Sequence, residues 1–577
     1  MKQRIIPIQP QAVGKQRKRQ APKGRRVDPA ALAEVQALLG AGPESRRRDL
    51  LIEHLHAIND RFGQLATPHL AALAQEMRMA QTEVYEVASF YHHFEVARED
   101  ANGDVSAPPA LTVRVCDGLS CQLAGAQALL EKLPQLLGTE IRVLAAPCVG
   151  RCEQAPVAVV GQNPLPQATP ATVKAAVDAG AVQHAGSAHI DYSAYRAHGG
   201  YQLLAACLSG ARDVEAVIKT MEDSGLRGLG GAGFPAGRKW RIVRAEPAPR
   251  LMAVNIDEGE PGTFKDRVYL ERDPHRFLEG MLIAAWATGM AEIYLYLRDE
   301  YHGCRSMLTA ELAKLRADPA LPNLPEIHLR RGAGAYICGE ESAMIESIEG
   351  KRGLPRLRPP YVAQVGLFGR PTLEHNFETL YWVRQLLEQG GGWFAGHGRH
   401  GRSGLRSFSV SGRVKKPGVH LAPAGITLRE LLDEYCGGMQ DGHALYAYLP
   451  GGASGGILPT AMSDIPLDFD TLQPYGCFIG SAAVIVLSEQ DSAVAAARNL
   501  MRFFRDESCG QCTPCRVGTA KALHLIEQPE WDIALLQQLS EVMRDASICG
   551  LGQAAPNPVD CVIKYFPHEL NRPARPA

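Results

Sequence analysis

The most informative segment of this 577-residue chain is Arg227-Gly-Leu-Gly-Gly-Ala-Gly-Phe-Pro-Ala-Gly-Arg-Lys-Trp240. Its five glycines lack a Cβ atom, so the backbone amides can approach a ligand closely and adopt positive φ without penalty. Arg238 and Lys239 add two cations directly after the glycines. Bare amides and cations together suit a phosphate group. For the segment taken alone, a glycine-rich surface turn is an equally good interpretation.

The residues before this glycine segment argue against an ordinary dinucleotide-binding fold. Gly228, Gly230 and Gly233 satisfy the pattern G-x-G-x-x-G, but that fingerprint requires a β-strand immediately upstream. The upstream apolar residues instead recur at helical spacing, at Val214, Val217, Ile218 and Met221. We therefore predict that the segment follows a helix and forms a nucleotide-binding loop of another design.

Two polar segments further along the chain extend this candidate site. The apolar run 251–255 predicts a buried strand, and α/β sheets bind ligands at the carboxyl ends of such strands. Directly after this run come the polar side chains of Asn255, Asp257, Glu258 and Glu260. A second segment, 332–350, starts with small residues and is predicted to enter a helix near Glu340, whose N-terminus would suit an anion. A metal site made of the carboxylates is the alternative interpretation.

Four of the fourteen cysteines lie at strand ends in a predicted small α/β unit. They are Cys116, Cys121, Cys148 and Cys152, in the order C-x4-C…C-x3-C. Four thiolates from two loops at one end of a sheet can hold a [2Fe–2S] cluster. Zinc is the alternative, although zinc ribbons usually use C-x2-C knuckles.

A second cysteine group lies in the helical C-terminal region. Cys509, Cys512 and Cys515 form a C-x2-C-x2-C run, which can occupy three corners of a [4Fe–4S] cluster. Cys549 is the obvious fourth ligand, and zinc is again the alternative. The remaining six cysteines are scattered along the chain and are interpreted as small buried hydrophobic residues.

The remaining regions limit the class of protein. The net charge is −1, which gives no bias towards nucleic acid, and no apolar run predicts a membrane span or a signal peptide, so we expect a soluble cytoplasmic protein. Residues 1–27 are basic, with no acidic residue, and are predicted to be a disordered arm. His92 and His93 suggest a metal site, but adjacent helical residues face different directions, so a core or interface role is preferred.

The two cysteine groups flank the candidate nucleotide site. NAD(P)H donates two electrons as hydride, whereas an iron–sulfur cluster accepts one. A cofactor that accepts hydride and releases single electrons is therefore required between them, and flavin is the common one of this kind.

With these motifs assembled, residues 191–577 resemble the NADH-binding flavoprotein subunit of respiratory complex I, and residues 28–190 resemble its small [2Fe–2S] partner subunit. This fused arrangement is most similar to the beta (diaphorase) subunits of NAD-dependent molybdenum or tungsten formate dehydrogenases. The resemblance implies a multidomain α/β and α+β protein with these parts: a helical bundle (28–105), a thioredoxin-like [2Fe–2S] domain (106–190), a Rossmann-like FMN and NADH domain (191–400), a ubiquitin-like β-grasp domain (401–490) and a helical [4Fe–4S] domain (491–577).

The resemblance also implies which residues bind the cofactors. FMN would contact Gly228, Gly230, Lys239, Asn255, Asp257, Glu258, Tyr336, Gly339, His375 and Asn376. NADH would contact Gly231, Phe234, Glu260, Glu341 and Tyr361, and Glu340 would help to complete the FMN pocket. Glu340 and Glu341 are the candidate catalytic residues. Two departures from the family pattern stand out. His375 replaces a usual Asn, which would alter hydrogen bonding to the flavin, and Ile242 replaces an aromatic residue near the adenine.

The implied activity is hydride exchange between NAD(H) and FMN, followed by single-electron transfer through the clusters to or from a large molybdenum or tungsten iron–sulfur subunit. No pattern for a molybdopterin or nickel–iron site occurs in the sequence, which places substrate oxidation in that partner. Two alternatives remain. One is the diaphorase of an NAD-reducing nickel–iron hydrogenase, and the other is a zinc-binding scaffold without enzymatic activity.

Overall fold

The computed structural model describes residues 25–40 and 42–570. Most of the predicted basic arm, residues 1–24, lies outside the described residues, as does the segment 571–577. The end of the arm is held against the first domain, because the backbone N–H of Arg25 donates to Oε1 of Gln81 at 3.0 Å. Within the described part of the chain, no helix is both long and apolar enough to cross a membrane.

The first region is helical, as its apolar periodicity predicts. Asp28 caps the first helix by accepting hydrogen bonds from the N–H groups of Ala30 and Ala31. A short parallel bridge pairs Leu65–Ala66 with Val96–Ala97. The longer helices are Pro29–Leu39, Leu51–Phe62, Thr67–Glu76 and Gln81–Phe90.

The second region is a four-stranded sheet with helices at 119–137 and 170–178. Its central strand, Leu111–Cys116, pairs in parallel with Ile141–Ala146 and antiparallel with Ala158–Val160. The order of the strands across the sheet is Ile141–Ala146, Leu111–Cys116, Ala158–Val160 and Asn163–Leu165. Because parallel strands end at the same edge, the loops that follow Cys116 and Ala146 meet there.

The third region is a four-stranded, entirely parallel sheet with helices packed around it. The predicted strand at 251–255 is found as Arg250–Ile256, and the long apolar stretch after it divides into the helix Pro274–Thr288 and a strand. The strand order is Thr372–Asn376, Arg250–Ile256, Met290–Leu297 and Glu326–Arg331. The helices longer than seven residues are Val214–Asp223, Ala236–Ala245, Lys265–Arg272, Pro274–Thr288, His302–Arg316 and Glu341–Ile348.

The last two regions are a mixed five-stranded sheet and a group of helices. In the sheet, the helix Leu428–Glu434 begins with a capping box between Thr427 and Glu430. The sheet order is Gly418–Pro423, Leu405–Gly412, Ala483–Ser488, Leu445–Leu449 and Leu458–Pro459. The C-terminal helices are Ala493–Asp506, Thr513–Ile526, Ile533–Ala546, Gly550–Ala554, Asn557–Tyr565 and Pro567–Leu570.

The regions are joined by shared cores. One cluster of buried apolar side chains runs through the first helical region, the five-stranded sheet and the C-terminal helices. A second fills the space around the parallel sheet, and a third belongs to the small sheet that carries Cys116 and Cys121. The cofactor-type segments therefore lie on a packed framework, where their relative positions are fixed.

Candidate cofactor sites

The glycine segment follows a helix, as predicted, and a second helix, which was not predicted, begins within it. It leaves the helix Val214–Asp223 and leads into the helix Ala236–Ala245. The loop closes on itself, because the N–H of Gly228 donates to the carbonyl of Phe234 at 2.8 Å. Two positions, Gly231 (φ 118°) and Gly233 (φ 67°), use backbone conformations that favour glycine.

Two other regions approach the glycine loop closely. A Cβ atom added to Gly230 would lie 3.0 Å from Cβ of Asn376, and one added to Gly231 would lie 3.6 Å from the backbone of Gly480. At Gly233 an added Cβ would lie 2.6 Å from the ring of Phe469, which is too close for any side chain. The loop therefore lies between the end of the strand Thr372–Asn376 and the region of the five-stranded sheet. At Gly230, where it faces Asn376, the loop presents backbone without a side chain.

Lys239 forms part of a charged group beside this loop. Its Nζ lies 2.8 Å from Glu374, on the edge strand that also carries Asn376. Burial lowers the pKa of Lys239, but the charges of Glu374 and Glu341 outweigh burial and raise it. Burial and the charge of Glu374 raise the pKa of Glu341, which also pairs with Arg358 at 2.8 Å. Arg358 also forms an ion pair with Glu340. The group therefore contains two cations, Lys239 and Arg358, and three carboxylates, those of Glu340, Glu341 and Glu374.

Asp257 has the clearest unused polar atom of the acidic segment. Asn255 links this segment to the next one by donating from Nδ2 to the carbonyl of Gly339 at 2.9 Å. The Oδ2 atom of Asp257 is buried and has no hydrogen-bond partner among the residues that the structure describes. Burial raises the pKa of Asp257 to about 8, against the attraction of Arg298. This orphaned buried carboxyl oxygen lies at the carboxyl end of the strand that pairs with Thr372–Asn376, and it fits a ligand with hydrogen-bonding groups, such as FMN.

The other two carboxylates of the segment are already bonded within the protein. Glu258 accepts hydrogen bonds from the N–H groups of Asp266 (2.8 Å) and Arg267 (3.1 Å) and from the hydroxyl of Tyr301 (2.9 Å). It therefore caps the start of the helix Lys265–Arg272. Burial raises its pKa to about 7.

Glu260 contacts the region of the five-stranded sheet, and the sequence did not reveal these contacts. It accepts from the N–H of Ser454 at 3.0 Å and from the hydroxyl of Ser481 at 3.4 Å, both in the five-stranded sheet region. A Cβ on Gly452 would lie 2.9 Å from its carboxyl carbon. The glycine-rich turn 450–456, for which no role was predicted, thus forms a wall beside the site. Its high glycine content was the only signal.

The segment 332–350 forms the opposite wall. The helix predicted near Glu340 begins at Glu341, and its N-terminus is occupied by the carboxylate of Glu340, which accepts from Ser342 N–H (3.0 Å) and Ala343 N–H (2.9 Å). Tyr336 packs against Phe503, with ring centroids 5.0 Å apart, and its N–H donates to Glu507 at 2.9 Å. This wall therefore contacts the helical region that carries the second cysteine group.

The remaining predicted positions differ in exposure. His375 is 2% exposed and accepts a hydrogen bond from Trp240 Nε1 at 2.8 Å, so its Nε2 is already used. Burial and the charge of Lys239 hold its pKa well below the usual range, so the ring is neutral. Three apolar side chains that were expected near NADH are solvent-exposed: Phe234 (41%), Ile242 (39%) and Tyr361 (56%).

The first cysteine quartet is gathered at one edge of the small sheet. The Sγ atoms of Cys148 and Cys152 are 3.3 Å apart, and Cys116 interacts with both Cys121 and Cys148. Each of the four is at most 6% exposed, and none forms a disulfide. Hydrogen bonds from Cys116 and Cys152 lower the pKa of Cys148 well below its usual range, with help from Arg298. Four convergent sulfurs with a stabilised thiolate fit a [2Fe–2S] cluster.

The second quartet lies on the C-terminal helices. Cys509, Cys512 and Cys515 occupy the turn into the helix Thr513–Ile526, and Cys549 precedes the helix Gly550–Ala554. Cys509 interacts electrostatically with Cys512, and Cys549 with Cys509. A Cβ on Gly552 would lie 2.8 Å from Cβ of Cys515, so glycine is needed to bring the two segments together. This arrangement of three local sulfurs and one remote sulfur fits a [4Fe–4S] cluster.

Four family profiles match successive parts of the chain. Residues 35–181 match "Thioredoxin-like [2Fe-2S] ferredoxin" and residues 221–385 match "Nuo51 FMN-binding domain". Residues 407–458 match "SLBB domain", and residues 495–573 match "NADH-ubiquinone oxidoreductase-F iron-sulfur binding region". These matches confirm a multidomain α/β protein with FMN, a [2Fe–2S] cluster and a [4Fe–4S] cluster as cofactors and NADH as substrate.

Whole-chain comparisons agree with the profiles. The chain is 41% identical over 393 residues to an NADH-quinone oxidoreductase subunit of Rhizobium meliloti, covering 66% of this chain and 93% of that one. It is 40% identical over 374 residues to the mitochondrial NADH-ubiquinone oxidoreductase 51 kDa subunit of Neurospora crassa, covering 61% and 76%. A crystal structure of NAD+-reducing [NiFe]-hydrogenase in the H2-reduced state superposes with a TM-score of 0.80 and 32% identity, covering 92% of this chain and 94% of that one. The chain therefore belongs to the family of NADH-oxidising flavoprotein subunits that includes the 51 kDa subunit of NADH-ubiquinone oxidoreductase, and it carries a thioredoxin-like [2Fe–2S] region in the same polypeptide.

Proposed function

We propose that this chain is the NAD-reactive diaphorase subunit of an NAD-dependent formate dehydrogenase, with a large molybdenum- or tungsten-containing iron–sulfur subunit as its partner. One observation carries the diaphorase part of this proposal: hydrogen bonds link both cysteine quartets to the polar segments 255–260 and 332–350. Arg298 donates to the carbonyls of Cys148, at 2.7 Å, and of Glu258. On the other side, Tyr336 and Glu507 connect the pocket to the quartet that begins two residues later.

In this proposal FMN occupies the pocket floored by Gly228 and Gly230. Lys239 supplies positive charge, and Asn255, Asp257 and Gly339 supply polar groups of the wall, with Tyr336 and Asn376 completing it. Glu258 and His375 support the site without contacting FMN directly. Glu258 caps a helix, and His375 accepts a hydrogen bond from Trp240. When bound, FMN supplies the ability to accept hydride and to release electrons one at a time.

NADH is proposed to enter over Gly231, between Phe234 and Tyr361. Large exposed apolar side chains at a pocket mouth suit the flat faces of nicotinamide and adenine. Glu260 forms the far wall through its contacts with Ser454. Glu341, whose pKa burial raises, faces the Lys239–Glu374 pair and is proposed to orient the nicotinamide amide, while Glu340 fixes the start of its helix.

Asp257 is proposed to hold a proton at the pocket. With a pKa of about 8, its carboxyl group is largely neutral at pH 7, so the group can donate as well as accept a hydrogen bond. Its unpartnered Oδ2 is the atom available for this purpose. Because this atom is buried, its surroundings have a low dielectric constant, which strengthens such a bond.

The first quartet is proposed to ligate the [2Fe–2S] cluster and the second the [4Fe–4S] cluster. The zinc-scaffold alternative makes an opposite prediction about colour. The purified chain should show flavin and iron–sulfur absorption that NADH bleaches, whereas a colourless protein without iron would overturn the proposal.

The proposed role of Gly230 in FMN binding can be tested by adding a side chain at this position. Gly230→Val should lower FMN content by about tenfold or more, because even its Cβ would lie 3.0 Å from Asn376. Gly392→Ala is the matched control, since an added Cβ there meets nothing within 4 Å. Full flavin occupancy in the Gly230→Val protein would contradict the assignment.

The diaphorase of an NAD-reducing nickel–iron hydrogenase is the second candidate. It is favoured by the superposition on the hydrogenase structure, which spans 92% of this chain. The resemblance seen in the sequence supports formate dehydrogenase. Affinity purification of the chain with its native partners, followed by metal analysis, decides between them: molybdenum or tungsten supports formate oxidation, and nickel supports hydrogen oxidation.

A further inference from the structure

A buried cluster of two histidines and one aspartate lies outside both cysteine quartets and outside the glycine-loop pocket. His56 belongs to the helix Leu51–Phe62, and His93 follows the helix Gln81–Phe90. Asp299 lies two residues beyond the end of the strand Met290–Leu297. One donor atom from each of the three lies within 4.8 Å of the other two. Three separate segments, from the first helical region and the parallel sheet, therefore meet at one point.

The hydrogen bonds of His56 define which nitrogen is free. Its Nε2 lies 2.8 Å from the carbonyl oxygen of Gly332, which can only accept, so Nε2 carries the proton. The lone pair of the neutral ring is then on Nδ1, which is buried and has no hydrogen-bond partner within residues 25–40 and 42–570. A histidine whose second nitrogen donates to a backbone carbonyl has the arrangement usual for metal-binding histidines.

The two oxygens of Asp299 are used differently. Arg305 and Arg331 both approach Oδ1, the first at 3.3 Å. Oδ2 faces His93 instead, with Nε2 of His93 at 2.8 Å. This Oδ2 atom nevertheless has no hydrogen bond of acceptable geometry in the described part of the chain. These two atoms are close enough to act as ligands of one ion.

We propose that His56, His93 and Asp299 bind one divalent cation of the zinc class. Two imidazole nitrogens and one carboxylate oxygen form a common zinc ligand set. Ligands on a tetrahedral zinc with 2.0–2.1 Å bonds are about 3.3 Å apart, so atoms now within 4.8 Å need only small movements. The His93 side chain is 16% exposed, which leaves an edge for ion entry and for a water molecule as fourth ligand.

The ion would fasten the first helical region to the parallel sheet. Asp299 is next to Arg298, which contacts both the Cys148 loop and the acidic segment. A metal ion bound to Asp299 would therefore stabilise the position of Arg298, which connects the Cys148 loop to the acidic segment of the proposed FMN site. This role is structural, and the site has no part in the proposed electron transfer.

The test is metal analysis of the full-length chain purified from zinc-supplemented cells. We expect about one zinc per chain beside about six irons, the sum of one [2Fe–2S] and one [4Fe–4S] cluster. His93→Asn should reduce zinc at least tenfold with iron and flavin unchanged. His92→Asn is the matched control, because this neighbouring histidine is half exposed, faces Glu507 and should keep the zinc. Zinc below about a tenth of an equivalent in the wild-type chain would overturn the proposal.

Substitution with cobalt separates this site from zinc bound adventitiously by cysteines. Co²⁺ added to the wild-type chain should give d–d absorption without thiolate charge-transfer bands, and His93→Asn should abolish it. Thiolate charge transfer as the only cobalt signal would place the metal on cysteine and refute the histidine–aspartate site. The wild-type measurements stand even if a variant fails to fold.

Discussion

The two cysteine quartets have the same number of ligands but opposite surroundings. All four members of the first quartet are buried, whereas Cys509, Cys512 and Cys549 of the second are only partly buried. The first is enclosed by other regions of the chain. Arg298 bonds to the carbonyl of Cys148, and Asn499 of the C-terminal helices donates to the carbonyl of Asp117 at 2.8 Å. The second is built within the C-terminal helices themselves.

This difference indicates different roles for the two quartets. A cluster near the surface can exchange electrons with another protein, because electron transfer slows steeply with distance. A cluster enclosed by three regions of its own chain is insulated from such a partner and is sensitive to how those regions pack. We therefore propose that electrons pass between this chain and the proposed partner subunit through the second quartet. The following predictions test that difference between the quartets.

The largest effect is expected when one quartet at a time is broken. Cys549→Ser should remove the [4Fe–4S] signal and reduce electron transfer to the partner by about a hundredfold or more, while NADH still bleaches the flavin. Cys116→Ser should remove the [2Fe–2S] signal and leave a larger fraction of that transfer. Electron paramagnetic resonance and single-turnover reduction by NADH measure both variants. Cys304→Ala, at a buried cysteine in neither quartet, is the control. Equal loss of transfer in the two variants would refute the contrast.

Removal of iron by a chelator should follow the difference in exposure. The [4Fe–4S] signal should decay about ten times faster than the [2Fe–2S] signal in the same sample, because only the second quartet is open to solvent. Following both signals over time in excess chelator provides an internal comparison. Simultaneous loss would mean that the first quartet opens as readily as the second.

Much of this contrast was predictable from local sequence. The spacing of Cys509, Cys512 and Cys515 predicts the second quartet, because three of its cysteines lie within seven residues of sequence. The strand ends at Cys116 and Cys148 identify the first. The position of the glycine segment after a helix also followed from periodicity alone, as did the strand at 251–255.

Burial and contacts between distant segments were not predictable. Nothing near Glu260 indicates its bond to Ser454, and nothing near Cys148 indicates that Arg298 closes its loop. His93 was interpreted as a core or interface residue, and the structure places it at an interface with Asp299, where it also meets His56. These contacts depend on how whole domains pack against each other. The periodicity of a single sequence reports local secondary structure and does not indicate which distant segments meet.

A smaller effect is expected at Asp257, whose pKa is raised mainly by burial, while the charge of Arg298 lowers it and that of Glu507 raises it. Its carboxyl titrates near 3.8 when unfolded and about 8 when folded, so between these values the folded chain holds a proton that the unfolded chain has lost. The free energy of unfolding of the flavin-free chain should therefore fall as pH rises from about 4 to 8, by at least on the order of 1 kcal/mol. Asp257→Asn should flatten this dependence. Melting temperatures measured across that range test it, and an unchanged slope in the variant would refute the raised pKa.

The smallest effect concerns a single hydrogen bond at the exposed quartet. The hydroxyl of Ser508 lies 3.3 Å from Sγ of Cys515 and can donate to its thiolate. Such bonds stabilise the reduced, more negative cluster, so Ser508→Ala should lower the [4Fe–4S] reduction potential by about 20–40 mV, equivalent to roughly 0.5–1 kcal/mol for one electron. The [2Fe–2S] potential should not change, because the corresponding donor at Cys148 is the backbone N–H of Gly150, at 3.4 Å. A redox titration followed by electron paramagnetic resonance reports both potentials in one sample. A shift of both clusters, or of neither, would show that Ser508 does not tune the second quartet selectively.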